Sequence, residues 1–220
     1  WSSDVCSSDL IQVIRLIAGG RMGRRFYFFH MKNIFYSISM AGLCMTFFSC
    51  NCIVKIVYGI HQPRTESLEA LTDFRDRNFG VEIPFAVTRK AYLDHDEVLP
   101  VPELYIFDRN GQSIEYRSGE NPQCSGPASV FLSNLVAGEA YRLKNDEALK
   151  EFCERLQFLN VDESLKMDSA RYDFYVFITW AKWTGSRIYR QKTKDWISAV
   201  QNNRTAKIRL VLLNEDYHGF

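Results

Sequence analysis

The chain has 220 residues, 46% of them hydrophobic and 14% aromatic, with 27 Lys+Arg against 26 Asp+Glu for a formal net charge of +1. That balance supplies no concentrated basic face of the kind nucleic-acid binding requires, and the aromatics are spaced for a core and not for base stacking. No Cys-x-x-Cys pair and no His/Cys spacing suits zinc, and His30, His61, His95 and His218 are scattered as surface residues. No metal or cofactor is expected, and no nucleic-acid partner.

The first ten residues, Trp1 to Leu10, read as translated sequencing adaptor, and residues 11–30 as in-frame upstream sequence. Met31 is the expected start, and residues 31–49 follow the pattern of a secretory signal. Lys32 supplies its positive end, Ile34 to Phe48 its apolar core of 15 residues, and Ser49 a small residue at its close. The core is shorter than the ~20 apolar residues that span a bilayer, and Lys55 blocks a longer span. Phe47-Phe48-Ser49-Cys50 resembles a bacterial lipobox, which implies cleavage before Cys50 and lipid on that residue. The alternatives are a plain secretory signal or an uncleaved anchor. Cleavage leaves 171 of the 220 residues, the size of one domain, with a tether over residues 50–64 and a single domain over 65–220.

Within that domain, Thr65 to Asn78 is expected to be a helix. Leu68, Leu71 and Phe74 share a face, acidic residues come early and Arg75 and Arg77 late, and Gly80 closes it. Val81 to Val87 is a strand candidate that Pro84 assigns to an edge or an irregular strand. Residues 88–99 form a polar turn or short helix. Leu99 to Tyr116 reads as a hairpin, its apolar pattern supplied by Leu104, Ile106 and Ile114, with Asp108-Arg-Asn-Gly111 as a turn that places Asn and Gly where positive φ is needed. Ala128 to Leu135 gives one or two helical turns. Asn145 to Leu159 has the pattern of an amphipathic helix, capped by Asn145 and striped by Leu149, Phe152, Cys153, Leu156 and Leu159. A polar linker, 160–170, leads to Tyr172–Trp180, an almost continuous apolar strand of the kind covered on both faces. Arg187 to Asn202 is a second amphipathic helix, with Tyr189, Thr193, Trp196 and Val200 on one face, and Lys207 to Leu213 is a strand. Strand, helix, strand with that pattern predicts a βαβ unit, a parallel pair and an α/β fold with a mixed sheet flanked by helices.

The segment Trp180-Ala-Lys-Trp183-Thr184-Gly-Ser-Arg187, set between that strand and helix, resembles the active-site turn of thioredoxin-like proteins. Thr184 and Arg187 stand where that family has its two cysteines. A second piece, from about residue 65 to 135, resembles the other half of the same fold. Val101-Pro102 stands where the family keeps a cis-proline, and Tyr105-Ile-Phe-Asp-Arg-Asn-Gly-Gln112 matches its hairpin. The halves come in reversed order, so the resemblance implies a circularly permuted thioredoxin-like domain, the alternative being an α+β domain that reuses similar strands. The chain also resembles small lipoproteins of Gram-negative bacteria that share the Tyr58-Gly-Ile-x-x-Pro63 start and the Trp180-Ala-Lys-x-x-Gly185 segment. That likeness implies a lipid-anchored protein of the cell envelope, periplasmic or surface-facing, and implies no activity.

Thiol–disulfide chemistry needs a thiolate at a helix N-terminus and usually a second thiol. Thr184 has a hydroxyl too weakly acidic to serve without a base, and is expected to cap the following helix. Arg187 either reaches an anion or is solvated. Trp180 and Trp183 either line a shallow cleft beside Pro102 or pack in the core and turn. Once Cys6, Cys44 and Cys50 are set aside, Cys52, Cys124 and Cys153 remain. In an oxidising compartment Cys124 and Cys153 are the candidate disulfide. Alternatively Cys153 packs as a small hydrophobe while Cys124, in the turn-rich stretch Asn121–Pro127, is an exposed thiol. Two functions follow. One is a membrane-tethered, non-catalytic binding or scaffolding module that presents the edge formed by Trp180, Trp183, Thr184, Arg187 and Pro102 to a protein or peptide. The other is an oxidoreductase whose working cysteine is Cys124.

Overall fold

The computed structural model describes residues 64–80, 82–89, 101–117, 128–145, 147–159, 171–184 and 187–220, with the side chains of 187–189 excepted. Residues 1–63, including Cys50 and the tether, lie outside the described residues, as do 90–100, Cys124 and the linker 160–170. In chain order the elements are β1 (Thr65–Glu66), α1 (Leu68–Asn78), β2 (Phe85–Thr88), β3 (Leu104–Asp108), α2 (Ala128–Ser133), α3 (Leu149–Glu154), β4 (Leu156–Leu159), β5 (Phe174–Trp180), α4 (Arg187–Asn202), β6 (Ile208–Asn214) and β7 (Tyr217–His218).

β5 is the centre of the fold because all seven of its residues are buried. Phe174, Val176, Ile178 and Trp180 enter one core, while Tyr175 and Phe177 enter another on the opposite face of the sheet. That is the period-2 alternation of a strand covered on both sides. α4 returns the chain so that β6 pairs parallel with β5, from Phe174 opposite Ile208 to Trp180 opposite Asn214. β3 lies antiparallel on the other side of β5. β2 joins β6 parallel, and β4 closes the far edge antiparallel to β2. The sheet order is β3-β5-β6-β2-β4. Residues of α1, α2 and α4 fill the core on one face, and Leu149 and Phe152 of α3 fill the core on the other. The fold is therefore α/β, with a mixed five-stranded sheet flanked by helices.

Four expectations are corrected. The helix expected from Thr65 begins at Leu68, because Ser67 takes the N-cap and its side chain accepts from the Ala70 N–H. The helix expected through Leu159 ends at Glu154, and Leu156–Leu159 forms β4. Leu156 belongs to the core on the α3 face and Leu159 to the core on the other, which one helical stripe cannot do and a sheet-edge strand can. Asn145 is not the cap of α3, whose N-cap is Ala148 without a side-chain bond. β2 is internal and not an edge. It starts one residue after Pro84, which needs only its carbonyl there and accepts the Leu212 N–H at 2.8 Å. The turn after β3 is as expected, with Gly111 at φ 78 and its N–H donating to the Asp108 carbonyl at 2.9 Å.

Candidate functional site

The turn that leaves β5 is held from below by β6. Asp216 is almost wholly buried and accepts three hydrogen bonds. These come from the Lys182 N–H at 2.7 Å, the Trp183 N–H at 3.3 Å and the Asn214 side-chain amide at 2.7 Å. The Asn214 amide also donates to the Trp180 carbonyl at 3.3 Å, and the Glu215 N–H donates to the same carbonyl at 3.0 Å. Bonds from N–H groups to a buried carboxylate are among the stronger ones a protein makes. Lys182 adds an ion pair with Glu66, which ties the turn to β1.

Thr184 is buried and its hydroxyl donates to the Ala181 carbonyl at 2.7 Å. The side chain thus folds back into the turn, and residues 185 and 186, across which it would cap the following helix, lie outside the described residues. Arg187 opens α4. Trp180 is part of the core. It stacks on Phe74 at 5.4 Å with 2° between the ring planes, and it meets Phe79 and Phe85 at 5.6 and 5.7 Å. Trp183 is half-buried.

The peptide bond Val101–Pro102 is cis, and Pro102 is buried. Its position follows from strand register. Leu104 lies opposite Ile178, and the Thr179 N–H donates to the Glu103 carbonyl at 2.9 Å. One residue further, Pro102 stands at the level of Trp180, where the turn begins. The structure thus brings together the proline and the turn, 78 residues apart in sequence. The Thr179 hydroxyl adds to the junction by accepting the Glu103 N–H at 2.6 Å.

Two carboxyls under the turn carry altered acidities. Burial, then the neighbouring Asp216, push Glu215 from 4.5 up to about 8, with Arg155 opposing them. Burial raises Asp216 as well, against the hydrogen bonds it accepts from Lys182, Asn214 and Trp183. Asn214, Glu215 and Asp216 were missed in the sequence. Their only local signal is an acid pair set directly after an apolar strand. Cys153 is a free, half-buried thiol, and burial, then Glu147, push its pKa up to about 12. At neutral pH it stays protonated and is a poor nucleophile. Cys124, its candidate disulfide partner, lies outside the described residues.

Among the described residues no group of three or more His, Cys, Asp or Glu is placed to hold a metal ion, and no helix is long and apolar enough to cross a membrane. Comparison with known proteins finds no matching family model, no similar curated protein and no similar solved structure. What the turn offers chemically is a fixed backbone, one half-buried indole and a hydroxyl already engaged. Such a set can make contacts, and among the described residues of the turn no nucleophile is paired with a base.

Proposed function

We propose that this chain is a membrane-tethered, non-catalytic thioredoxin-like binding or scaffolding lipoprotein of a Gram-negative cell envelope, circularly permuted relative to the family it resembles. The observation that supports it most is the Trp180–Thr184 turn. It has the setting of a redox turn, beside a cis-proline and at the end of a buried central strand, yet its hydroxyl is bonded to Ala181 and its backbone N–H groups to Asp216. Permutation is supported by the sheet. A parallel β5-α4-β6 unit is followed on its β5 side by an antiparallel strand that a cis-proline precedes, and this strand comes earlier in the chain. The lipid anchor rests on the lipobox-like segment before Cys50.

Insulin reduction with the wild type and with Cys124→Ser tests the non-catalytic assignment. No turnover above buffer is expected from either. Turnover lost in Cys124→Ser would overturn the proposal in favour of a thiol–disulfide oxidoreductase. Fatty-acid labelling tests the anchor. The wild type should take label and Cys50→Ala should not, and equal labelling refutes lipidation at that residue.

A further inference from the structure

β6 extends further back than the strand beside it. It begins at Ile208, whereas β2 pairs with it only from Phe85, opposite Leu212. The last rung on that side is the Leu212 N–H donating to the Pro84 carbonyl at 2.8 Å. The next rung back would need a Pro84 N–H, which proline lacks. A cleft of ≈ 400 Å³ lies at this start of β6, lined also by Glu82 and Ile83 before β2 and by Val200 and Gln201 near the end of α4. Small-molecule sites have volumes of roughly 300–1,000 Å³.

The apolar wall of the cleft is part of the core. Ile83, Val200 and Leu210 are buried, and Ile208 packs against the same cluster. Asn203 also lines the cleft, but its polar atoms are spent on structure. Its amide donates to the Leu132 and Leu135 carbonyls at 2.9 Å each, and its Oδ1 accepts the Thr205 and Ala206 N–H groups at 2.9 and 3.1 Å. These bonds fix the end of α4 against the end of α2.

Two lining residues carry opposite charges. Arg209 lines the cleft together with Tyr172. Its Nη1 donates to the Tyr172 hydroxyl at 3.4 Å, and its guanidinium carbon lies 5.6 Å from the centroid of that ring. Arg171 stands 5.8 Å from the same centroid. Neither arginine is in an ion pair among the described residues. The neighbouring acid, Asp173, is engaged by the Lys207 N–H at 2.9 Å and by Arg109. An arginine carries five N–H donors, so Arg209 keeps donors for an anion. Glu82 supplies the opposite sign. It is exposed, and it too is in no ion pair among the described residues. The end of α4 adds to it, since a helix is negative at its carbonyl end and the last turn of α4 holds no basic residue.

We propose that this cleft binds a free α-amino acid with an apolar side chain. The carboxylate meets Arg209, the ammonium meets Glu82 and the carbonyl end of α4, and the side chain lies on Ile83, Val200 and Leu210. Arg209 and Glu82 line one cleft without pairing with each other. A zwitterion answers both charges at once, where a simple acid or a simple amine answers one and leaves the other facing it unmatched. The inference is independent of the function proposed for the Trp180–Thr184 turn, which lies at the opposite end of the β5–β6 pair.

The test is amide chemical-shift mapping of the full chain, titrated with leucine, N-acetylleucine, leucinamide and glycine. Leucine should move the Ile83, Ala206 and Leu210 amides. N-acetylleucine lacks the cation and leucinamide lacks the carboxylate, and each should bind about ten-fold more weakly. Glycine, without a side chain for the apolar wall, should also bind more weakly. Glu82→Gln and Arg209→Gln should each weaken leucine several-fold. Equal binding of leucine and either blocked form overturns the proposal, as does equal binding of glycine or an absence of shifts at these amides with millimolar leucine. Shifts confined to Lys182 and Trp183 also overturn it, while leaving the turn as a contact edge. Mapping on the wild type decides the matter even where a variant fails to fold.

Discussion

The Trp180–Thr184 turn and the hairpin after β3 meet the same sheet in opposite ways. In the turn, the Lys182 and Trp183 N–H groups, the Trp180 carbonyl and the Thr184 hydroxyl are all bonded inward. In the hairpin, the arms bond to each other, the Ile114 N–H to the Ile106 carbonyl and the Asp108 N–H to the Gln112 carbonyl, and line a cleft of ≈ 190 Å³. The segment that resembles an active site is thus the one whose polar groups are taken up by structure. The hairpin, which resembles only scaffold, makes its bonds between its own arms and to the segment from Arg142 to Lys144. A motif marks where a fold bends its chain. Which hydrogen bonds remain to be made is decided by long-range neighbours.

The largest expected effect breaks the turn from its core side. Trp180→Ala removes a ring that touches Phe74, Phe79 and Phe85, and should cost ~3–5 kcal/mol, read as a fall in the urea midpoint. Asp216→Ala comes next. It leaves two backbone N–H groups and the Asn214 amide without their acceptor, at a cost of roughly 2–4 kcal/mol. Hydrogen exchange at the Lys182 and Trp183 amides should accelerate while β3 stays protected. Equal acceleration at β3 would show that the turn and the hairpin are one unit and not two. On the hairpin side, Tyr116→Phe removes the hydroxyl bond to Glu103 and should cost ~1–2 kcal/mol with no change at the turn amides.

The last test is a pH slope. Glu215 holds its proton up to about 8 when folded, whereas in the unfolded chain it titrates near the ordinary ~4.3. Between those values the unfolded state binds fewer protons, so this group makes stability fall as pH rises, and the loss is complete above about 8. In Glu215→Gln that part of the slope should vanish in denaturation midpoints taken across the window. A slope identical to the wild type would remove Glu215 as its source.

Some of this was legible in the sequence and some was not. β5 could be read because seven consecutive strand-forming residues leave no helical face to expose. α4 could be read from its core face, on which Thr193, Trp196 and Val200 are all buried. The hairpin turn was written in Asp108 and Gly111. The span 145–159 was misread because Leu156 and Leu159 satisfy a helical spacing as well as they satisfy the two faces of a strand. Only pairing with β2 decides between them. Pro84 misled for a related reason, since a proline bars the N–H side of a ladder and leaves its carbonyl free to accept. The clamp by Asp216 was invisible because the backbone donors it holds, Trp183 and Lys182, lie 33 and 34 residues away, beyond the reach of any local pattern.

The short parallel pair of β1 and β7 sets Thr65 beside Tyr217 and Glu66 beside His218, and the His218 Nε2 lies 2.7 Å from the Thr88 carbonyl at the end of β2. A pull applied at Arg64 therefore reaches the domain through a strand loaded along its own length. Its cross-links then share the load together and are not peeled off one by one. The ion pair from Glu66 to Lys182 carries part of that load straight into the Trp180–Thr184 turn. Mechanically, the point where the chain enters the domain and the turn at its centre are coupled, so tension at one end is felt at the other.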